Sequence, residues 1–202
     1  MPRLTRDQQR EQTRQRLRDA LVTLVAKRGF TGATIDAVTE TAGYSRGAFY
    51  ANYSSKEELL IDAALLRQQE EVDSWIQAIE ACDSVVSLLP LLETRFAQFI
   101  ADSRWNLFVI ELRLQARRDP AFAISYNEAS DRVTHRVGEM LEKLFRKAGV
   151  TPRLPLRKLV PMIAALTVGL ALGDALQDHK QRMDHQLLIL FLADQLGLDY
   201  PS

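Results

Sequence analysis

Cysteine occurs once in 202 residues, at Cys82, which excludes an internal disulfide framework and any multi-cysteine metal site. Histidine is nearly as scarce. His135, His179 and His185 fall at no recognised ligand spacing, and Asp178-His179 with Asp184-His185 read as a polar connection between helices, so no metal is expected. No glycine loop has the spacing that cradles phosphate, and Cys82 has neither a neighbouring base nor a helix-start context that would make it a nucleophile. Enzymatic chemistry and a bound cofactor are therefore not expected. Long apolar runs are missing too: the longest uncharged stretch, Leu159 to Gly173, is 15 residues and contains Pro161, whereas a bilayer span takes about 20. Residues 1–10 hold no apolar segment of the secretory kind. The expectation is a chain without membrane contact, in the cytoplasm, where a lone thiol stays reduced. Alternating strand patterns bounded by turn signals do not stand out either.

The composition is that of a folded protein. Hydrophobic residues make up 47% and charged residues 26%, which rules out intrinsic disorder and low-complexity polymers. The charges balance, 26 Lys+Arg against 26 Asp+Glu, but unevenly along the chain. Residues 1–60 carry ten basic and seven acidic side chains, and the first 28 carry eight against three, seven of the eight being arginine. Such a cluster is either a solvated helix end or the electrostatic footprint of a polyanion partner.

Nearly every segment has helical periodicity. Leu17, Leu21, Leu24 and Val25 predict an amphipathic helix over about 7–28, closed by Gly29. Thr34 can cap a short helix of about 35–41, Gly43 permits a tight turn, and Ser45 can cap a second short helix to about Ala51. Ser55 and Glu58 match a capping box at the start of a long helix through Leu59, Leu66, Trp75 and Ile79. Further helices are predicted over about 84–101, with Pro90 marking a kink or a late start, over 104–117, from Asp119-Pro120 to Gly149, and over 156–177 and 184–196. The fold class is all-α. The predicted organisation is an N-terminal three-helix domain over 1–60 and a larger helical domain over 61–202.

Two short helices joined by a glycine turn, Thr34 to Tyr53, have the dimensions of a helix-turn-helix, whose second helix enters the DNA major groove. The candidate reading helix is Ser45-Arg46-Gly47-Ala48-Phe49-Tyr50-Ala51. Ser45 and the first amides can face phosphate. Arg46 has the bidentate fork for a guanine edge, and Ala48 can meet a thymine methyl. Gly47 costs about 1 kcal/mol against alanine in mid-helix, which a close approach of the backbone to bases would justify. Tyr50 can give its hydroxyl to a phosphate.

Gly29-Phe30, Thr34-Ile35, Ala42-Gly43-Tyr44-Ser45-Arg46-Gly47-Ala48-Phe49-Tyr50, and Tyr53 with Lys56-Glu57-Glu58-Leu59 together resemble the N-terminal domain of the TetR (tetracycline repressor) family. The resemblance covers about residues 10–60. It implies an all-helical, dimeric transcription factor, usually a repressor, released from DNA by a small ligand in the C-terminal domain. By it, Thr34, Tyr50, Asn52 and Lys56 would hold phosphates, while Ser45, Arg46, Gly47 and Ala48 face bases. Tyr44, Asn52 and Tyr53 depart from the more usual small aliphatic residue, His and Phe.

Beyond residue 60 the sequence is less specific. Trp105, Phe108, Glu111, Arg113, Tyr126 and Asn127 are candidates to line an effector pocket, since aromatic walls with a few convergent polar groups suit an apolar or aromatic molecule. The last two helices are too apolar for a free surface. Leu166, Gly169, Leu170, Gly173, Leu188, Phe191 and Leu192 are candidates for a dimer interface, which the resemblance also implies. The resulting reading is a ligand-responsive regulator that binds a palindromic operator in double-stranded DNA as a homodimer. Its alternative is an all-helical small-molecule enzyme or carrier with a vestigial helix-turn-helix.

Overall fold

The computed structural model describes residues 5–176 and 186–198, and every regular element within them is helical. The elements are α1 (Arg6–Gly32), α2 (Ile35–Ala42), α3 (Arg46–Tyr50), α4 (Lys56–Ala81), α5 (Leu89–Ala101), α6 (Ser103–Arg118), α7 (Pro120–Ala148), α8 (Leu156–Leu176) and α9 (Gln186–Gln195). A 3-10 turn, Val86–Leu88, precedes α5. The connection holding His179 and His185 lies outside the described residues.

Most helix ends follow local chemistry. Thr5 and Gln8 form a reciprocal capping box at the start of α1. Pro90 sits in the first turn of α5, where its missing N–H has no intrahelical acceptor to lose, so it marks a late start rather than a kink. Asp119 accepts the Ala121 and Phe122 amides at the head of α7. At α4 the sequence expectation is half met. Ser55 Oγ accepts from Glu58 N–H at 3.1 Å, but the Glu58 carboxylate accepts from the amide and hydroxyl of Ser54, each at 2.7 Å, instead of returning to Ser55. Those bonds hold Glu58 below the usual carboxylate range.

The chain divides into two compact units, and the division differs from a single cut near residue 60. The first unit comprises residues 1–67 together with 107–129; the second comprises 68–106 and 130–202. The first thus takes α1 to α3, the start of α4, most of α6 and the start of α7. Its buried residues include Leu17, Leu21, Val25, Val38, Phe49, Leu59 and Leu60. In the second unit, Ile79, Leu92, Leu141, Leu144, Phe145, Leu159 and Ile189 share one apolar core. Asp73 with Arg136 and Glu80 with Lys143 pair α4 and α7 along its surface.

α8 has two contrasting faces. Leu159, Val160, Leu170 and Ala171 are buried in the protomer, while Met162, Ala165, Leu166, Gly169 and Leu172 form an exposed stripe at helical spacing. By length and composition alone, Leu156–Gly173 could cross a membrane, despite Pro161. Leu170, Leu188 and Leu192 correct the sequence expectation for the interface: all three are buried within their own chain and offer nothing to a partner. Apolar content identified these helices as interfacial, but only packing separates the inward positions from the outward ones. Leu166 and Gly169 are exposed, and Gly173 and Phe191 half-buried.

Candidate nucleic-acid interface

The helix-turn-helix is assembled by two caps and one left-handed glycine. Thr34 Oγ1 accepts from Ala37 N–H and Ser45 Oγ from Ala48 N–H, both at 3.2 Å, starting α2 and α3. Gly43, at φ 75° and ψ 32°, ends α2 in the left-handed region, and Tyr44 N–H closes back onto the Thr39 carbonyl at 2.9 Å. Val38 and Phe49 bury the inner faces of the two helices. On the outer face, Thr34, Ser45, Arg46, Gly47 and Tyr50 are exposed and Ala48 is half-buried. The Arg46 guanidinium lies 3.3 Å from Asp36 of α2, so an acid one helix away orients it. A hydrogen bond with Tyr50 and the Asp36 charge both favour its charged form.

Gly47 has no intramolecular reason to be glycine. It is helical, and a Cβ built on it would meet only Ser45 Oγ, at the ordinary contact distance of 3.6 Å. The open space above it faces away from the protein.

Asn52 corrects the sequence reading. Its Nδ2 donates to the Ala48 carbonyl at 2.8 Å, and its Oδ1 is sealed from solvent without a partner. Since α3 ends at Tyr50, the Ala48 carbonyl has lost its intrahelical donor, and Asn52 supplies one instead of reaching outward. Lys56 is also engaged internally. Its ammonium donates to the Phe30 carbonyl at 2.7 Å and lies 3.8 Å from the centre of the Phe30 ring, and burial lowers its pKa against the opposing charge of Glu57.

Phe30 is a junction because Gly29, at φ 70° and ψ 172°, breaks the helical run. The freed Phe30 N–H donates to Glu111 Oε2 of α6 at 3.0 Å, and its ring lies 6.5 Å from that of Phe122 in α7. Glu111, expected to face an effector, is therefore turned to the backbone of α1. A Cβ on Gly29 would come within 3.3 Å of the same carboxylate. Of the other pocket candidates, Trp105 is buried in the second unit. Phe108 is buried in the first, where Tyr126 stacks on Phe122 at 6.3 Å, Arg113 is half-buried and Asn127 is exposed.

The sequence reading missed a polar cluster beneath the reading helix. Asp62 of α4 accepts from the Tyr53 hydroxyl at 2.6 Å and from Arg18 at 3.0 Å, and pairs with Arg14 at 3.1 Å. Arg14 also donates to the Asn52 carbonyl at 3.2 Å and lies 4.4 Å from the Tyr53 ring centre. Arg18, almost fully buried, binds Glu11 and Gln15 as well. Burial alone would raise the Asp62 pKa; the bonds from Tyr53 and Arg18 and both arginine charges outweigh it, so the carboxyl stays below its usual range. Burial and the Asp62 bond push the Tyr53 phenol upward, keeping it a donor. One signal was available in the sequence: Arg14, Leu17, Arg18 and Leu21 fall at i, i+3, i+4 and i+7, which puts two arginines on the apolar stripe.

Two short capped helices around a glycine turn, presenting an arginine, a glycine and a tyrosine to solvent on a braced three-helix head, define a helix-turn-helix DNA-binding protein. Residues 17–63 match the family of bacterial regulatory proteins described as the tetR family. The chain is 25% identical over 162 residues to the HTH-type transcriptional regulator UidR of Escherichia coli (strain K12), covering 78% of this chain and 79% of that one. Among solved structures, a TetR-family transcriptional regulator from Rhodococcus sp. superposes with a TM-score of 0.73 at 20% identity, over 92% of this chain and 99% of that one. The FadR regulator of Bacillus subtilis, solved in complex with stearoyl-CoA, gives 0.68 at 17% identity, over 91% and 95%. Residues 17–63 are thus a helix-turn-helix of the tetR family of bacterial regulatory proteins, and the chain is a DNA-binding transcriptional regulator.

Proposed function

We propose that the protein represses transcription as a homodimer, reading a palindromic operator with two copies of α3 and leaving it when a small molecule binds. The observation that carries the DNA reading is Gly47. A residue that weakens its helix and fills no internal need makes sense if another body must approach there closely. Around it, Arg46 reads a base edge and Ala48 contacts a methyl group. Thr34 and Ser45 use their oxygens as caps and keep a hydroxyl hydrogen for phosphate, which Tyr50 can reach with its own. The Lys56 ammonium has three donors, so its bond to Phe30 leaves others for a backbone phosphate.

The dimer rests on α8. One short helix reads too few base pairs to find a site in a genome, and a two-fold axis doubles the contact. The outward stripe from Met162 to Leu172 suits a second copy of itself, with Gly169 allowing close approach. A membrane suits it less, because the opposite face of α8 is already built into a protein core. The FadR complex with stearoyl-CoA supports the effector reading. A regulator acting on the chromosome works in the cytoplasm.

Binding-site selection from random DNA, using the purified full chain with and without candidate effectors, tests the proposal. A palindromic consensus whose half-sites lie about one helical turn or a multiple apart is expected, together with loss of binding for at least one effector. No enriched sequence, or an enriched site without two-fold symmetry, would overturn it.

A further inference from the structure

We infer that the effector is an organic anion, a carboxylate or a similar small acid on an apolar or aromatic body, held by Arg95 beside Trp75 and Phe96. The inference rests on the effector reading above and adds the charge and place of the molecule. Arg95 lies on α5 and Trp75 on α4, both in the second unit. The guanidinium carbon is 4.5 Å from the centre of the Trp75 ring, and that ring lies 6.0 Å from Phe96 at 31°. Phe96 packs against two apolar clusters of the unit, so this corner joins one cation to the edge of the core.

The guanidinium is incompletely paired. Its Nη1 is sealed from solvent and has no hydrogen-bond partner. A buried donor on a charged group without an acceptor is unfavourable, and such positions are held in proteins by a partner or a ligand. The neighbouring helical positions supply no acid: Leu91, Leu92, Gln98 and Phe99 occupy the turns above and below Arg95 on α5. Glu93, two residues away, projects from another side of the helix. On α4, Asp73 and Glu80 are taken by Arg136 and Lys143, and Glu71 is exposed. An anion that accepts from Nη1 completes the fork that arginine offers to carboxylates, while the flat Trp75 and Phe96 surfaces receive an apolar body.

The test uses the full chain as wild type, Arg95→Met and Arg95→Lys, with phenylacetate, indole-3-acetate and decanoate against their neutral amides. Thermal unfolding with each probe at about 10 mM is expected to show carboxylates raising the wild-type Tm by about 2 °C or more, with amides well behind. Arg95→Met should lose the carboxylate shift while retaining wild-type helicity. Arg95→Lys keeps the charge without the fork and should lose most of it, which keeps the test decisive if the methionine variant fails to fold. No shift from any of the three carboxylates, equal shifts from amides, or an undiminished shift in a folded Arg95 variant would overturn the inference. Operator release by the same compounds separates this from the broader reading. Release by amides alone leaves an effector-responsive repressor with no anion site; Arg95-dependent carboxylate binding without release leaves the site and removes the effector role.

Discussion

The Tyr53 hydroxyl donates to Asp62 Oδ2 at 2.6 Å, and through that contact the turn after the reading helix is joined to α4 and to two arginines of α1. Tyr53 carries a hydroxyl that phenylalanine in its place would lack. The additional oxygen would be costly in an apolar core, and Asp62 is the acceptor that makes it favourable. Arg14, bound to both Asp62 and the Asn52 carbonyl, extends the tie to the residues just beyond α3. The aim of the reading helix is thus set by charged groups beneath it as much as by the Phe49 plug.

Removing the two partners of that bond should have unequal effects. Tyr53→Phe deletes one donor to a carboxylate that keeps two others, and is expected to cost about 1–2 kcal/mol. Asp62→Ala leaves buried Arg18 without the less exposed of its two counter-charges, and is expected to cost more, at least about 2 kcal/mol. Urea unfolding of both variants measures this; an equal or reversed order would show that Arg18 is balanced by Glu11 alone.

Acid should act through the same carboxyl. Asp62 is held below its ordinary value of 3.8 in the folded state. Its contribution is therefore complete above that value and is lost as the pH falls below it. Comparing stability with Asp62→Asn from neutral pH down to acid, the difference between the proteins should be constant down to about pH 4 and shrink below it. A difference already shrinking near pH 6 would mean that another group carries the dependence.

Stability and DNA affinity should part company at Gly47. Alanine there meets no obstacle and is a better helix former, so Gly47→Ala should stabilise the protein by up to about 1 kcal/mol. On the selected operator the same variant should bind at least about tenfold more weakly, a change of about 1.4 kcal/mol. Undiminished affinity would remove the close approach on which the choice of glycine has been explained.

Lys56 has an internal and an external role, and salt separates them. Lys56→Ala should weaken binding about equally on all sequences and lower the salt slope by about one phosphate contact. It should also lose about 1 kcal/mol of stability with the charged donor to the Phe30 carbonyl. Lost stability with an unchanged slope would confine the ammonium to closing α1.

The interface is tested most cleanly at Gly169. Nothing lies within 4 Å of a Cβ built there, so Gly169→Leu leaves the protomer's own packing intact. If two α8 stripes meet at this point, the added side chains should overpack the contact by roughly 1–3 kcal/mol per copy, dissociating the dimer at low concentration. Sedimentation and circular dichroism should show a folded monomer that no longer binds the operator. A Gly169→Leu dimer that still binds would move the interface elsewhere.

Whatever depends on neighbours along the chain is legible in the amino-acid order. The caps at Thr34 and Ser45, the left-handed Gly43 and the helix start at Pro120 are local, because a cap or turn is satisfied within a few residues. The outward place of Gly47 on α3 follows from the same periodicity, since it lies nearly opposite the buried Phe49. Partners brought from far along the chain emerge only on folding. Asp62 meets Arg18 across 44 residues and Glu111 meets Phe30 across 81, and nothing in the local pattern of either acid names its partner. Asn52 turned inward because the end of α3 left the Ala48 carbonyl needing a donor, and Lys56 because the Phe30 carbonyl and ring come within its reach, and both demands are visible only once those ends are placed. On α8 and α9 the apolar content was legible, but which leucines close the protomer and which remain for a second copy depends on what the core had already covered.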